Sequence, residues 1–213
     1  LTVHAVDGDR VGRGDVLISV TGNTRALLAA ERVSLNLITM MSGVATATRA
    51  WADALAGTTT RVRDSRKTIP GLRMLQKYAV RIGGGLNHRM SLTDAALIKD
   101  NHVIAAGGVV AAYRAVRESF PDIPIEVEVT SAEQAREVVA AGATEILLDN
   151  MSSVAMAGIV AELAGQATFE ASGGLTIQKA TEVAQTGVNF VAVGAITHSA
   201  PILDIAFDLA SEN

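Results

Sequence analysis

Cysteine is absent from the 213-residue sequence, which excludes disulfide bonds, thiolate nucleophiles and thiolate metal ligands. Aromatic residues make up only 3% of the chain and the net charge is −4, whereas a nucleic-acid-binding protein usually has a basic face and aromatic side chains that stack on bases. The sequence contains no apolar run of the roughly 18 residues that a membrane-spanning helix needs, and no signal peptide. We therefore expect a cytoplasmic protein with no nucleic acid and no membrane among its partners.

Proline is also scarce, at 4 residues, and much of the 49% apolar content comes from small residues such as Ala and Val. This is the composition of an ordinary folded protein, and the length suffices for one good-sized domain plus a small appendage. The chain begins at Leu1, within a predicted strand and without Met. We therefore expect that an N-terminal piece of the protein is missing.

Positive charge is concentrated in one segment of this acidic chain. Nine of the 18 Lys and Arg residues lie between Arg61 and His102, together with three Asp. The segment therefore carries +6 (nine minus three), and the rest of the chain carries −10 (−4 minus 6). A basic segment in an acidic protein predicts a site for a small anion. Within it, Arg73, Lys77 and Arg81 are spaced by four residues, and we expect them on one solvated face of a helix.

Short apolar segments alternate with helical segments after Gly57. Strands are predicted near 60–62, 96–98, 125–129, 145–148, 168–170 and 190–193, and helices near 72–82, 108–119, 132–140, 154–163 and 177–185. Repeating strand–helix units of about 20 residues predict an α/β barrel of about six parallel strands, with a doubly wound sheet as the alternative. The first strand is not followed by a G-x-G-x-x-G motif, which weakens that alternative.

The first 55 residues follow a different pattern. Residues 1–22 predict short strands joined by Gly-Asp turns, and Asn23-Thr24 is a suitable N-cap for the helix that follows. We expect this helix to be broken near Gly43 and to be buried, in the core or against another subunit, because it is apolar on most sides. The predicted domains are 1–40, the remnant of a small N-terminal domain with its connecting helix, and 41–213, the barrel.

Polar residues stand at the carboxyl end of each predicted strand, where the active sites of α/β barrels lie. They are Asp64 to Thr68, Lys99 to His102, Glu126 and Glu128, Asp149 and Asn150, Glu170 to Gly174, and Gly194 and Ala195. A further group, His88 and Arg89, follows the glycine run 83–85, which we expect to be mobile. Several cations at one barrel mouth would repel each other unless an anion with two or more charges bound there.

Two other strand-end groups predict further parts of a site. Glu128 and Asp149 lie on neighbouring predicted strands, where they could hold sugar hydroxyls or a divalent cation, or pair with nearby cations. Glycine-rich turns follow the last two strands, at 172–174 and 194–195, and such turns let backbone N–H groups approach a phosphate.

Eight stretches of the chain resemble the quinolinate phosphoribosyltransferases, also called nicotinate-nucleotide pyrophosphorylases (carboxylating). In order, they are ERVSLN (31–36), SRKTIPGLR (65–73), GGGLNHR (83–89), LIKDNH (97–102), EVEV (126–129), LDN (148–150), EASGG (170–174) and VGA (193–195). Together they span almost the whole chain, and the combination is far more specific than any single stretch. The family commonly has Thr where this chain has Ser65, and the hydroxyl group is retained.

The resemblance implies an incomplete, open α/β barrel preceded by an α/β domain, a homodimer, and dependence on Mg²⁺. It implies transfer of the phosphoribosyl group of phosphoribosyl pyrophosphate to quinolinate with decarboxylation, which gives nicotinate mononucleotide, CO₂ and pyrophosphate in de novo NAD biosynthesis.

The resemblance also implies roles for individual residues. The residues that would hold the two carboxylates of quinolinate are Arg66, His88, Arg89 and Lys99, with Arg32 reaching the site of the neighbouring subunit. Lys67 and Lys99 would face the pyrophosphate or the ring acid, with Ser65 beside them, and Glu128 and Asp149 would hold the ribose and Mg²⁺-bound water. The residues that would surround the 5′-phosphate are Ser172, Gly173, Gly174, Gly194 and Ala195. Catalysis would then rest on Lys67, Lys99, Glu128 and Asp149.

Three other functions remain open at this point. The first is a related barrel transferase that acts on a different acid, such as the molybdenum-operon homologue or a nicotinate-specific enzyme. The second is a Schiff-base aldolase with Lys99 as the nucleophile. The third is a non-catalytic fragment that only dimerises or binds a ligand.

Overall fold

The computed structural model describes residues 1–210, which form two separate β-sheets and a set of surrounding helices. The small sheet pairs β1 (Thr2–Val3) with β2 (Ile18–Ser19) in antiparallel fashion. The large sheet contains six parallel strands: β3 (Arg61–Arg63), β4 (Ala96–Ile98), β5 (Ile125–Val129), β6 (Glu145–Asp149), β7 (Thr168–Ser172) and β8 (Phe190–Ala192).

Helices precede and separate these strands: α1 (Thr24–Ala54), α2 (Arg73–Ile82), α3 (Asp100–Ala106), α4 (Val109–Ser119), α5 (Ala132–Ala140), α6 (Ser153–Glu162), α7 (Ala180–Ala184) and α8 (Ala195–His198). A 3₁₀ turn (Ile177–Lys179) leads into α7. The predicted cap is confirmed, because Asn23 Oδ1 accepts the Ala26 N–H. None of the helices within residues 1–210 combines the length and apolar content that a membrane crossing requires.

The large sheet has the strand order β3-β8-β7-β6-β5-β4. From β4 to β8 each strand pairs with the next one in the chain, and β3 follows β8, as around a barrel. A doubly wound sheet would instead add successive strands on both sides of the first one. No ladder joins β3 to β4 within the described residues, so the predicted open α/β barrel is confirmed.

Alternation along the strands separates a buried apolar layer from a polar concave face. Val127, Ile146 and Leu148 have no exposed surface and belong to the core beneath the helices. Side chains of successive strand residues point to opposite faces, so Glu126 and Glu128 share the other face of β5. The sheet therefore directs polar side chains from several strands toward one concavity.

The long helix α1 is continuous from Thr24 to Ala54, so the predicted break near Gly43 is wrong. The glycine serves close packing instead, because a Cβ atom at Gly43 would lie 2.2 Å from the carbonyl oxygen of Pro201. The Leu203 N–H donates to the Thr39 carbonyl nearby (3.1 Å) and secures this crossing. The predicted domain boundary after residue 40 falls inside this continuous helix.

Burial divides α1 into two halves. The second half is in the core, with Val44 1% and Trp51 7% exposed. The first half is not covered within the described chain, and Val33 remains 66% exposed. Burial of this helix in the core is thus observed for its second half only.

The three cations of α2 do not share one solvated face as predicted. Arg81 is exposed, but Lys77 is 1% exposed and Arg73 is half-buried, with one guanidinium nitrogen donating to the Arg66 carbonyl (3.2 Å). The prediction is wrong for Lys77 because a buried carboxylate, Asp64, faces it across the interior. Periodicity alone could not reveal that partner.

Candidate active site

The segment that carries His88 and Arg89 lies between the two edges of the open barrel. Leu86 forms an isolated parallel bridge with Arg63 of β3, and its N–H donates to the Val62 carbonyl (2.8 Å). On the other side, Arg89 Nη1 donates to the carbonyl of Ala95, the residue before β4 (2.7 Å). The segment therefore spans the gap between β3 and β4, and it places His88 against Glu126 of β5 and Arg89 against the start of β4.

The glycines before this segment are packed rather than free. A Cβ atom at Gly83 would lie 2.4 Å from the Ala45 carbonyl oxygen, and one at Gly85 would lie 2.7 Å from Thr48 Cγ2. The glycine run therefore allows the chain to approach α1 closely. The glycine run 83–85 was predicted to be mobile, and the structure shows it packed against α1 instead.

A buried ion pair fixes the backbone of the same segment. Lys77 Nζ bonds to Asp64 Oδ1 (2.6 Å) and also donates to the carbonyls of His88 (2.7 Å) and Arg89 (3.1 Å). Asp64 in turn accepts the His88 N–H (2.8 Å) and an Asn87 side-chain N–H (2.6 Å). Burial lowers the pKa of Lys77 by more than Asp64 raises it, which shows how far the pair is removed from water.

His88 is bonded through both ring nitrogens. Its Nε2 lies 2.7 Å from Glu126 Oε2, and its Nδ1 accepts the Arg89 N–H (2.8 Å). Burial lowers the pKa of His88, but the hydrogen bond to Glu126 and the charges of Glu126 and Glu170 raise it overall. An N–H can donate to Nδ1 only while that atom keeps its lone pair. This backbone bond opposes protonation, and on its geometry we assign the neutral ring with its proton on Nε2.

Glu170 completes a polar network on the concave face. One of its oxygens lies 3.1 Å from Arg63 Nη1 and the other lies 3.7 Å from His88 Nε2. His88, Glu126 and Glu170 are close enough to hold a metal ion, but a metal-bound histidine normally donates through its second nitrogen, whereas Nδ1 here accepts. The guanidinium of Arg63 also supplies the positive charge that an ion would bring. We therefore interpret the cluster as a network of charge contacts and hydrogen bonds, in which Glu170 Oε1 and Arg63 Nε have no hydrogen-bond partner among the described residues.

Burial and then the charge of Glu126 raise the pKa of Glu170 to about 7. The folded protein thus retains a proton that the unfolded chain releases near pH 4.5, so this group stabilises the fold at low pH and the contribution is lost as the pH rises from about 4.5 to about 7. Glu170→Gln removes this titration, and we expect its unfolding midpoint to rise relative to that of the wild type as the pH increases between these values. Thermal unfolding across this range checks the prediction, and parallel curves for both proteins would contradict it.

The guanidinium groups of Arg66 and Arg89 repel each other, and the nearby charges of Glu126 and Asp94 offset this repulsion only in part. Burial lowers the pKa of Arg89, and the positive charge of Arg66 lowers it further. Arg66 Nη1 is buried and has no hydrogen-bond partner among the described residues. Buried donors are normally satisfied, so this atom indicates a missing acceptor next to Arg89. The structure thus brings together two of the four cations predicted to hold the carboxylates.

Lys99 and Glu128 meet at the strand ends as an ion pair, with Lys99 Nζ 2.5 Å from Glu128 Oε2. Glu128 therefore pairs with a nearby cation, which was the alternative prediction for the two acidic residues. Asp149 ends β6, the neighbour of β5, and accepts a side-chain N–H from Asn150 (2.7 Å). Both predicted acidic residues therefore stand at adjacent strand ends.

The turn after β8 meets the segment after β3. A Cβ atom at Gly194 would lie 3.2 Å from Lys67 Cδ and 3.2 Å from His198 Nε2. Thr197 Oγ1 donates to the Lys67 carbonyl (2.8 Å) and Ser65 Oγ accepts the Lys67 N–H (3.1 Å). His198 was not predicted as a site residue, although its position four residues after Gly194 was an available signal.

The turn after β7 is joined to the end of β6. Asn150 has a positive φ of 53°, and its N–H donates to the Ser172 carbonyl (2.9 Å). Gly173 has a φ of 91°, which favours glycine, and a Cβ atom there would lie 2.3 Å from Asn150 Oδ1. Helix dipoles would contribute little to phosphate binding at these turns, because a 3₁₀ turn follows this loop and α8 has only four residues.

Arg32 stands apart from these groups. It lies in the exposed first half of α1, with its side chain 73% exposed, and its ion-pair partner in the described chain is the adjacent Glu31 (3.6 Å). The structure of one chain does not bring it to the strand ends.

Comparison with protein families gives two matches that together span nearly the whole chain. The family model described as the quinolinate phosphoribosyl transferase C-terminal domain matches residues 44–208. The model of the N-terminal domain of the same family matches residues 1–42.

Individual relatives and solved structures agree with this result. The chain is 52% identical to the nicotinate-nucleotide pyrophosphorylase [carboxylating] of Mycobacterium leprae over 206 residues, which covers 95% of this chain and 72% of that protein. It is 42% identical to the probable nicotinate-nucleotide pyrophosphorylase [carboxylating] of Bacillus subtilis over 212 residues, 99% of this chain and 73% of that protein. The crystal structure of NadC from Streptococcus pyogenes is similar with a TM-score of 0.90 and 41% identity, and the match covers 94% of this chain and 71% of that one.

Proposed function

The chain belongs to the quinolinate phosphoribosyltransferase family, and we propose that it transfers the phosphoribosyl group of phosphoribosyl pyrophosphate to quinolinate with decarboxylation. The products are nicotinate mononucleotide, CO₂ and pyrophosphate, in de novo NAD biosynthesis. The observation that carries the proposal is the buried, unpartnered Arg66 Nη1 next to Arg89. A cytoplasmic location stays a prediction from the sequence.

Two adjacent carboxylates suit the paired guanidinium groups. Arg binds a carboxylate through parallel hydrogen bonds, and two anionic groups on neighbouring ring atoms would neutralise Arg66 and Arg89 together. An acid with one carboxylate would leave one guanidinium without a counter-charge, which disfavours a nicotinate-specific transferase. The Schiff-base alternative is also disfavoured, because Lys99 donates to Glu128 instead of standing free as a nucleophile.

The phosphoribosyl half of the site would be formed by the other strand ends. Lys67 lies against Gly194 and would face the phosphate groups, and Ser172 and Gly173 lie in the turn joined to Asn150. Glu128 and Asp149 would bind the ribose hydroxyls. Their hard carboxylate oxygens at adjacent strand ends also fit Mg²⁺, which would supply charge neutralisation for the pyrophosphate when bound.

The chemistry follows from these placements. The pyridine nitrogen attacks C1 of the ribose as the bond from C1 to pyrophosphate breaks, and Lys67 and Lys99 neutralise charge on the leaving group. Glu128 and Asp149 favour the positive charge that develops at C1. The alkylated nitrogen is then cationic, so it stabilises the electron pair left on the adjacent carbon when CO₂ departs, and a proton takes its place. The protein supplies orientation and charge, with no covalent intermediate.

A direct assay tests the activity. Quinolinate labelled in its 2-carboxylate is incubated with the protein, phosphoribosyl pyrophosphate and Mg²⁺, and we expect labelled CO₂ and nicotinate mononucleotide in equal amounts. Omission of phosphoribosyl pyrophosphate should abolish CO₂ release, because decarboxylation depends on the cationic nitrogen. Label release without phosphoribosyl pyrophosphate, or no release in the complete mixture, would contradict the proposal.

We also propose a homodimer in which Arg32 contributes to the neighbouring subunit's site. The support is that Arg32 lies on the uncovered half of α1 together with Leu28 (49% exposed), Val33 (66%) and Leu37 (39%). Apolar side chains in such a group mark an interaction surface. A second subunit over this surface would bury them and place the exposed Arg32 side chain next to that subunit's site.

Mixed dimers test the shared site. Arg32→Ala and Lys99→Ala homodimers should each be nearly inactive. In a heterodimer, one site combines the intact Arg32 of one subunit with the intact Lys99 of the other, so mixing and reassembly should restore up to about a quarter of the wild-type activity. No recovery after verified subunit exchange would show that Arg32 does not act across the interface.

A further inference from the structure

We propose that Glu126 is a positioning residue for quinolinate, acting through His88 on the backbone of Arg89. This inference rests on the proposed function and adds to it a residue that does not itself touch the substrate. Glu126 is 3% exposed and its contact to the site is the bond from its Oε2 to His88 Nε2 (2.7 Å).

The two hydrogen bonds of the His88 ring connect Glu126 to the backbone of Arg89. With its proton on Nε2 donated to Glu126, the ring presents a lone pair at Nδ1, and the Arg89 N–H donates to that lone pair (2.8 Å). Loss of the acceptor at Nε2 would free the ring to rotate or to change tautomer, and the Arg89 N–H would lose its partner. The hydrogen bond from His88 thereby fixes the backbone N–H of Arg89 from the concave side of the sheet.

Arg89 is then held at three points. Lys77 Nζ bonds its carbonyl (3.1 Å), His88 Nδ1 bonds its N–H, and the Ala95 carbonyl accepts from its guanidinium (2.7 Å). A guanidinium that binds a carboxylate by two hydrogen bonds must be placed within a fraction of an ångström. Glu126 therefore contributes to the affinity for the acid through the position of Arg89.

Glu126 is within hydrogen-bonding distance of His88, whereas the other nearby carboxylate, Glu170, is not. Glu170 Oε1 lies 3.7 Å from Nε2, beyond hydrogen-bonding distance, and its second oxygen is engaged by Arg63. Glu126 also comes from β5, which is separated from the segment 86–89 by β4 alone. The bond thus links the segment 86–89 to the second strand from the open edge of the sheet.

Two substitutions separate positioning from a general effect on folding. Glu126→Gln keeps a carbonyl that can accept from Nε2, whereas Glu126→Leu removes every acceptor. We expect Glu126→Leu to raise the KM for quinolinate about tenfold or more, with the KM for phosphoribosyl pyrophosphate changed less than about twofold, and Glu126→Gln to stay within about threefold of the wild type. The tautomer can be read from ¹⁵N NMR of the histidine rings, where His88 should be Nε2-protonated in the wild type and in Glu126→Gln.

Glu145→Leu is the matched control, because Glu145 lies directly opposite Glu126 in the register of β6 and β5. It should leave both KM values unchanged. The proposal is overturned if Glu126→Leu folds and raises both KM values equally, if it changes neither, or if Glu126→Gln is as impaired as Glu126→Leu. Wild-type decarboxylation that fails altogether would instead refute the proposed function, while the NMR result would still report on the Glu126–His88 bond.

Discussion

Arg89→Ala is expected to lower kcat/KM for quinolinate by about 10²-fold to 10³-fold, because truncating one partner of a buried, charge-assisted contact costs about 3–4 kcal/mol. The loss should appear mainly in the KM for quinolinate. The Arg89 guanidinium bonds the Ala95 carbonyl beside β4, and its charge interacts with that of Arg66, whose Nη1 has no partner among the described residues. Its removal therefore takes away half of the site for the two carboxylates. Steady-state kinetics with each substrate varied in turn measure the effect.

Arg81→Ala is the matched control for this variant. Arg81 is on the same basic segment but is exposed on α2, and its removal should change neither KM. Equal losses of affinity for quinolinate and phosphoribosyl pyrophosphate in Arg89→Ala would contradict the assignment of this side chain to the acid.

Lys77→Met is expected to destabilise the protein by about 3–5 kcal/mol, because it leaves the carboxylate of Asp64 buried and without its charge partner. Asp64 has no exposed surface and Lys77 is 1% exposed, so water cannot replace the lost ammonium group. The carbonyls of His88 and Arg89 would lose a donor at the same time. Urea unfolding at a fixed protein concentration measures the free energy of unfolding.

The double variant Lys77→Met with Asp64→Asn tests the cause. Without a negative charge at residue 64, the removal of Lys77 no longer strands an ion, and the double variant should be more stable than Lys77→Met alone. A cost below about 1 kcal/mol for Lys77→Met, or purely additive losses in the double variant, would contradict the buried-pair account.

The barrel was predictable from the sequence because its units repeat. Apolar strands at nearly equal spacing fix the order β4 to β8, and β5 (Ile125–Val129) and α5 (Ala132–Ala140) have the predicted bounds. Polar residues follow the strands in every unit, so the position of Arg66 after β3 followed from the pattern, whereas the role of Arg89 was implied by the family resemblance.

Contacts between distant segments were not predictable in this way. Lys77 has the same helical spacing as the solvated Arg81, and only Asp64, 13 residues earlier, makes its position buried. Gly43 was interpreted as a helix break because no local signal reveals that Pro201 crosses there. The bond between Glu126 and His88, 38 residues apart, was not predictable either, because no local signal shows that the segment 86–89 lies against β5.

Equilibrium binding of quinolinate, compared with nicotinate, tests the central claim that the mouth of the barrel is built for two carboxylates. Titration calorimetry on the wild-type protein should give quinolinate an affinity at least about 100-fold higher, since the second carboxylate gains two charge-assisted hydrogen bonds of about 1.5–3 kcal/mol each. Arg89→Ala should remove most of that difference. Equal affinities for the two acids in the wild-type protein would contradict the account.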